Sequence, residues 1–205
     1  MKLVFRCFFL FIITLMLVSL AFKSDIPVRH FTQVLPAIHL LTGDVVLRDS
    51  KGIFSSVFKN ISQKEKKYSH VGFILKERDT IFVAHYIDEG KSNGLKLETW
   101  NDFVNANKCN SVGIYRFSLS KSQFSKLDKI IHSSLQTPLP FDDHFDLSTD
   151  NSYYCTEWIS KSLWQAASFK LPVTEIAGMN FITPDNIYIN SFCRKIDEIV
   201  FRKMD

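Results

Sequence analysis

Two apolar runs, residues 68–75 (YSHVGFIL) and 80–87 (TIFVAHYI), flank the polar tetrad Lys76-Glu77-Arg78-Asp79. Both runs are rich in β-branched and aromatic residues, which suit an extended backbone on a half-buried pleated surface. Apolar run, polar break and apolar run together predict an antiparallel hairpin that the rest of the chain must cover. A turn centred between Glu77 and Arg78 sets Leu75 opposite Thr80 and His70 opposite His85. Directly opposed residues share a sheet face with Cβ atoms about 4.5–5.5 Å apart, so one imidazole could orient the other. Two unrelated strand histidines remain the plainer alternative, and a slip of one residue would put them on opposite faces.

The remaining elements surround this hairpin. Thr42-Gly43-Asp44 opens the short buried strand Val45-Val46-Leu47, and residues 51–60 carry a weak helical stripe of Phe54, Val57 and Phe58. A third strand is expected over 111–117. Ser120 is placed to cap a helix over 121–136, where Phe124, Leu127, Ile131 and Leu135 recur at helical spacing. Pro138 and Pro140 end it. A second helix is expected over about 154–169, with Trp158, Ile159, Leu163 and Ala166 on one face and Asp150, Asn151 and Ser152 as candidate caps. Thr183-Pro184 starts a further helix. Strand, hairpin, strand, helix, helix and tail make an α+β domain with one small antiparallel sheet, over residues 41–205.

Lys2 and Arg6 precede the apolar run 7–22, which reads as the core of a secretory signal peptide over 1–21, or as an uncleaved membrane anchor. Residues 22–40, with Pro27 and Pro36, read as a linker. Both readings deliver the domain across a membrane, to the periplasm or cell envelope. Cleavage after Ala21 would leave Cys109, Cys155 and Cys193, an odd set in which Cys109 and Cys193 could pair. The formal net charge of +4 comes with no Lys/Arg stripe, which argues against a nucleic-acid partner. Phosphate-loop, GxGxxG, CxxC and HExxH motifs are absent from the sequence, which excludes the nucleotide and zinc chemistries they serve.

Cys155 falls in the first turn of its expected helix. Free N–H groups and the positive end of a helix dipole lower a thiol pKa and can hold an oxyanion. A buried cysteine acting as a small hydrophobe is the competing reading. A helix-start cysteine, an odd thiol count and a paired-histidine hairpin in one chain favour Cys–His catalysis, which needs a nucleophile, a base and a group that orients the base.

In order along the chain, Thr42-Gly43-Asp44-Val45-Val46, Tyr68-Ser69-His70-Val71-Gly72 and Tyr154-Cys155-Thr156-Glu157 resemble the motifs of permuted papain-like cysteine hydrolases, the NlpC-related group of YiiX and YebB. The resemblance spans about residues 40–190. It implies a circularly permuted papain-like fold, Cys155 as nucleophile, His70 as general base, and no cofactor or metal. Many members carry glutamate on the second hairpin strand, where ungapped matching gives Ala84. Related acyltransferase-like enzymes use a second histidine, so His85 is preferred as the orienting residue, with Asp88 and Glu89 as fallbacks. The carboxylates of 141–146 (FDDHFD) look like the loop before the cysteine helix. They lack the glycine and terminal glutamate of a calcium loop, so turn-forming and capping roles are expected. The implied activity is cleavage of amide or ester bonds through an acyl-thioester, on peptidoglycan peptides or on lipid acyl groups. The alternatives are a noncatalytic envelope-binding module on the same scaffold and a lipid acyltransferase.

Overall fold

The computed structural model describes residues 40–89 and 92–201. The expected signal or anchor segment lies outside the described residues, as does all of the linker but Leu40, which is buried. No helix among the described residues is long and apolar enough to cross a membrane.

Eight strands are described: β1 (Val45–Ser50), β2 (His70–Glu77), β3 (Thr80–Glu89), β4 (Ser92–Thr99), β5 (Cys109–Phe117), β6 (Thr174–Ile176), β7 (Met179–Phe181) and β8 (Cys193–Val200). Six of them form one antiparallel sheet in the order β4-β3-β2-β1-β5-β8, while β6 and β7 pair separately. The helices are α1 (Ile53–Ile61), α2 (Trp100–Phe103), α3 (Lys121–Gln136), α4 (Cys155–Ala167) and α5 (Pro184–Tyr188). The sheet is larger than expected, because the sequence reading passed over β4 and β8.

The hairpin closes through the two-residue turn Arg78-Asp79, with Arg78 in the left-handed region at φ 53°. Lys76 and Glu77, expected in the turn, instead pair with Ile81 and Thr80. The register therefore differs from expectation by two residues, with Leu75 opposite Phe82 rather than Thr80. Two residues are one full pleat period, so every side chain keeps its face.

Side-chain alternation gives the sheet two apolar faces. On one, Val45, Leu47, Phe73 and Tyr86 pack against Leu127 and Ile131 of α3 and Trp158, Ile159 and Leu163 of α4. On the other, Val46, Ile74, Ile81, Val83, Val112 and Ile114 gather around Trp100 and Phe103 of α2. Burying each large side chain contributes roughly 1.5–3 kcal/mol, so both layers are needed to order a sheet of this width. At the start of α3, Ser120 Oγ accepts from the Gln123 N–H at 3.3 Å, and Gln123 Oε1 accepts from the Ser120 N–H at 2.9 Å. Ser120 is the cap the sequence predicts, and Gln123 makes it reciprocal.

The Cys109–Cys193 pairing that the sequence leaves open does not form: Cys109, Cys155 and Cys193 are all free thiols. Cys193 lies opposite Phe117 at one end of β5, and Cys109 begins the other end. Eight residues of strand rise, about 27 Å, separate those ends, far beyond disulfide reach.

Candidate active site

β2 and β3 pair from Glu77↔Thr80 to Phe73↔Ala84. Beyond that point β3 stays with β4, as far as Glu89↔Ser92, while β2 follows β1 to His70↔Arg48. The two strands thus part at the end that carries the histidines. The Ile74 N–H donates to the Asp44 carbonyl on the β1 side, so alternation turns the Val71 N–H toward the side that β3 has left. Cys155 is the first residue of α4, and the backbone N–H groups of Val71, Thr156 and Cys155 itself act on its thiol in the direction that favours thiolate.

Tyr154 occupies the cap position of α4, in place of the expected Asp150, Asn151 or Ser152. Its N–H donates to Glu157 Oε2 at 3.2 Å, and its hydroxyl accepts from the Ile182 N–H at 2.9 Å. The nucleophile candidate is therefore fixed from both sides by its neighbours. In the loop before it, Asp142 accepts the N–H groups of His144 and Asp146 at 3.0 and 2.7 Å, the turn-forming role expected there.

Cys155 is only 5% exposed. The sequence leads to the expectation of a depressed thiol pKa, and the structure corrects it. Burial pushes the thiol up to about 11, against the three N–H groups that favour thiolate. The thiol is held no lower than that of Cys109, also raised to about 11 by burial. His70 is held well below the ordinary imidazole range by burial first, then by Arg48 and His85. At neutral pH the free site thus holds a neutral thiol and a neutral imidazole.

The rings of His70 and His85 meet, with Nε2 of His70 2.8 Å from Nδ1 of His85. The contact is diagonal rather than directly across the strands. Gly72 makes room for it, since a Cβ there would lie 2.6 Å from Val83 Cγ1, 2.7 Å from the Ala84 carbonyl and 3.0 Å from His85 Cβ. Phe103 packs against both rings, at centroid distances of 6.0 and 5.2 Å. Arg48 lies over the same Phe103 ring and donates to its carbonyl at 3.1 Å.

The fallback residues Asp88 and Glu89 stand exposed at the far end of β3, away from the rings. The carboxylate behind the histidines is Glu98 on β4, which the sequence reading missed. Its Oε2 lies 3.3 Å from His85 Nε2, near but off the ideal hydrogen-bond line. Lys108 Nζ approaches Glu98 at 2.7 Å, with Arg48 and Lys96 each at 3.7 Å. Contact with His85 and then with Lys108 holds the Glu98 carboxyl far below the usual range despite burial. The signal for it was the alternation Leu95-Lys96-Leu97-Glu98, a strand pattern that places Lys96 opposite His85 and Glu98 opposite Val83.

Residues 39–195 match the family of permuted papain-like amidase enzymes of the YaeF/YiiX type, C92. Among solved structures, the chain is similar to one titled the crystal structure of metalloprotein yiiX from Escherichia coli O157:H7. The match has a TM-score of 0.63 at 16% identity, covering 78% of this chain and 97% of that one. No curated protein matches the chain. Among the described residues, no three His, Cys, Asp or Glu side chains converge as metal ligands. The match covers most of the sequence, and the chain belongs to the permuted papain-like amidase family.

Proposed function

We propose that this family member is an exported cysteine hydrolase that cleaves amide or ester bonds through an acyl-thioester on Cys155, with His70 as base and His85 as its orienting partner. One observation supports the assignment: His70 Nε2 meets His85 Nδ1 at 2.8 Å, and the N–H of Val71, the residue after His70, is among the groups that favour thiolate at Cys155. Nucleophile, base and orienting group are the set that thiol acyl transfer needs.

As the sulfur attacks the substrate carbonyl carbon, its proton passes to His70. The carbonyl oxygen takes the negative charge beside the N–H groups of the first turn of α4, which in the free site favour the thiolate of Cys155. The His70 imidazolium then protonates the leaving amine or alcohol, and the thioester remains. Water, deprotonated by His70, attacks the thioester, releases the carboxylic acid and restores the thiol. Because thiol and imidazole both start neutral, proton transfer accompanies attack instead of preceding it.

The proposed substrates are peptidoglycan peptides or lipid acyl groups of the cell envelope, reached after export by the 1–21 segment. Incubation of the full-length chain with peptidoglycan fragments and, separately, with phospholipids, followed by mass spectrometry, identifies the bond cut. Cys155→Ser should abolish every product while the melting temperature stays within a few degrees. Normal turnover by that variant would remove Cys155 from the chemistry. Tight binding without turnover by the unaltered chain would establish a binding module instead.

A further inference from the structure

Only one proton fits between two neutral ring nitrogens 2.8 Å apart, so His70 Nε2 and His85 Nδ1 divide the roles of donor and acceptor. What lies behind His85 decides which is which. Its Nε2 lies 3.3 Å from Glu98 Oε2 but off the hydrogen-bond line, and no described atom satisfies that buried nitrogen. A bare Nε2 would set a lone pair against a carboxylate, whereas an Nε2–H points a donor at it. With the proton on Nε2, His85 Nδ1 becomes an acceptor, and His70 Nε2 must be the donor. His70 then keeps its only lone pair on Nδ1.

We infer that Glu98 is a positioning residue, the terminal acceptor of a His70–His85–Glu98 chain that fixes both imidazoles as Nε2–H tautomers and leaves His70 Nδ1 free to take the proton of Cys155. The inference rests on the catalytic reading above and adds to it a residue that acts only through the rings. The charges around Glu98 come from four elements: Arg48 on β1, His85 on β3, Lys96 on β4 itself and Lys108 just before β5. Lys108 and Arg48 compensate the buried carboxylate and keep it an acceptor. Arg48 also opposes a second positive charge on either ring. When His70 accepts the thiol proton, the same chain carries its new positive charge toward the carboxylate.

The test reads tautomers directly, by long-range proton–nitrogen NMR correlation of the full-length chain labelled with 15N-histidine. The unaltered protein should show His70 and His85 both protonated at Nε2. In Glu98→Leu the pair should also populate the reverse pattern, with Nδ1–H on both rings, and acylation of Cys155 by 4-nitrophenyl acetate should slow by about 10²-fold. Glu98→Gln, which keeps an acceptor oxygen and fills the same volume, should keep the tautomers and recover most of the rate. Loss of its negative charge should move the acidic limb of the acylation profile to lower pH. Lys108→Met, which removes the 2.7 Å ion pair without reaching the rings, should leave the tautomers unchanged.

Unaltered tautomers in a folded Glu98→Leu chain would overturn the inference. If that variant does not fold, an unshifted pH profile in Glu98→Gln would overturn it, as would a Lys108→Met variant that reproduces the Glu98→Gln profile. Failure of the catalytic reading looks different, because the unaltered chain would then acylate no faster than His70→Ala while the NMR tautomers still report on Glu98.

Discussion

On the side of the sheet facing α3 and α4, Phe73, Tyr86 and Trp158 meet as edge-on and tilted rings in a hydrocarbon layer. On the reverse side, Val46, Ile74 and Val83 share their layer with Arg48, His70, His85 and Glu98. One layer excludes water. The other buries charges that partner one another, with Arg48 also donating to the Phe103 carbonyl and to Ser50 Oγ. Cys155 belongs to the first layer, at the start of its helix. The difference shows how one sheet divides its two faces: the apolar layer anchors the helix, and the polar one holds the groups to which the proposed function assigns proton transfer.

The hydrocarbon side should dominate stability. Phe73→Ala deletes a fully buried ring 5.1 Å from Trp158 and should cost about 3–5 kcal/mol in urea unfolding. A cost near zero would mean that α4 is held by something other than this layer. Gly72→Ala sits between the layers, and its Cβ would press on Val83, the Ala84 carbonyl and His85. It should cost about 1–3 kcal/mol and also separate the rings, so acylation of Cys155 should fall by more than the lost stability explains. Equal stability and rate would show that Gly72 is not what lets the rings meet.

The smallest effect separates two buried glutamates. Burial raises Glu157, on α4, to about 7, with Lys161 3.0 Å away opposing the shift. Its folded pKa lies above its unfolded one, so the stability it contributes is complete below about pH 4.5 and is lost as pH rises through 7. The slope is at most about 1.4 kcal/mol per pH unit. Glu98 is shifted the other way, so its contribution is present at neutral pH and is lost as pH falls through the acid range. Glu157→Gln should flatten the decline between pH 5 and 7 in urea midpoints, and an unchanged slope would assign that decline to other groups.

Local signals made much of this legible. Helix α3 matches its predicted span because a hydroxyl cap, an apolar stripe and two prolines all agree. The hairpin, its two histidines and the cysteine helix were visible for similar reasons. The turn was misplaced by one position because Lys76 and Glu77 are polar, yet a strand running past the core edge carries polar residues as readily as a turn does. Glu98 was out of reach because its partners come from β1, β3 and the approach to β5, contacts that only the folded sheet creates. The thiol pKa was misjudged for a related reason: a helix start is local and readable, while the burial that outweighs it belongs to the tertiary structure.

A sulfur kept protonated and 5% exposed is a poor target for hydrogen peroxide, whose attack begins with thiolate. On its proposed role, the protein therefore stores its nucleophile in an unreactive form, and oxidation to the sulfenic acid should be slow in the free chain.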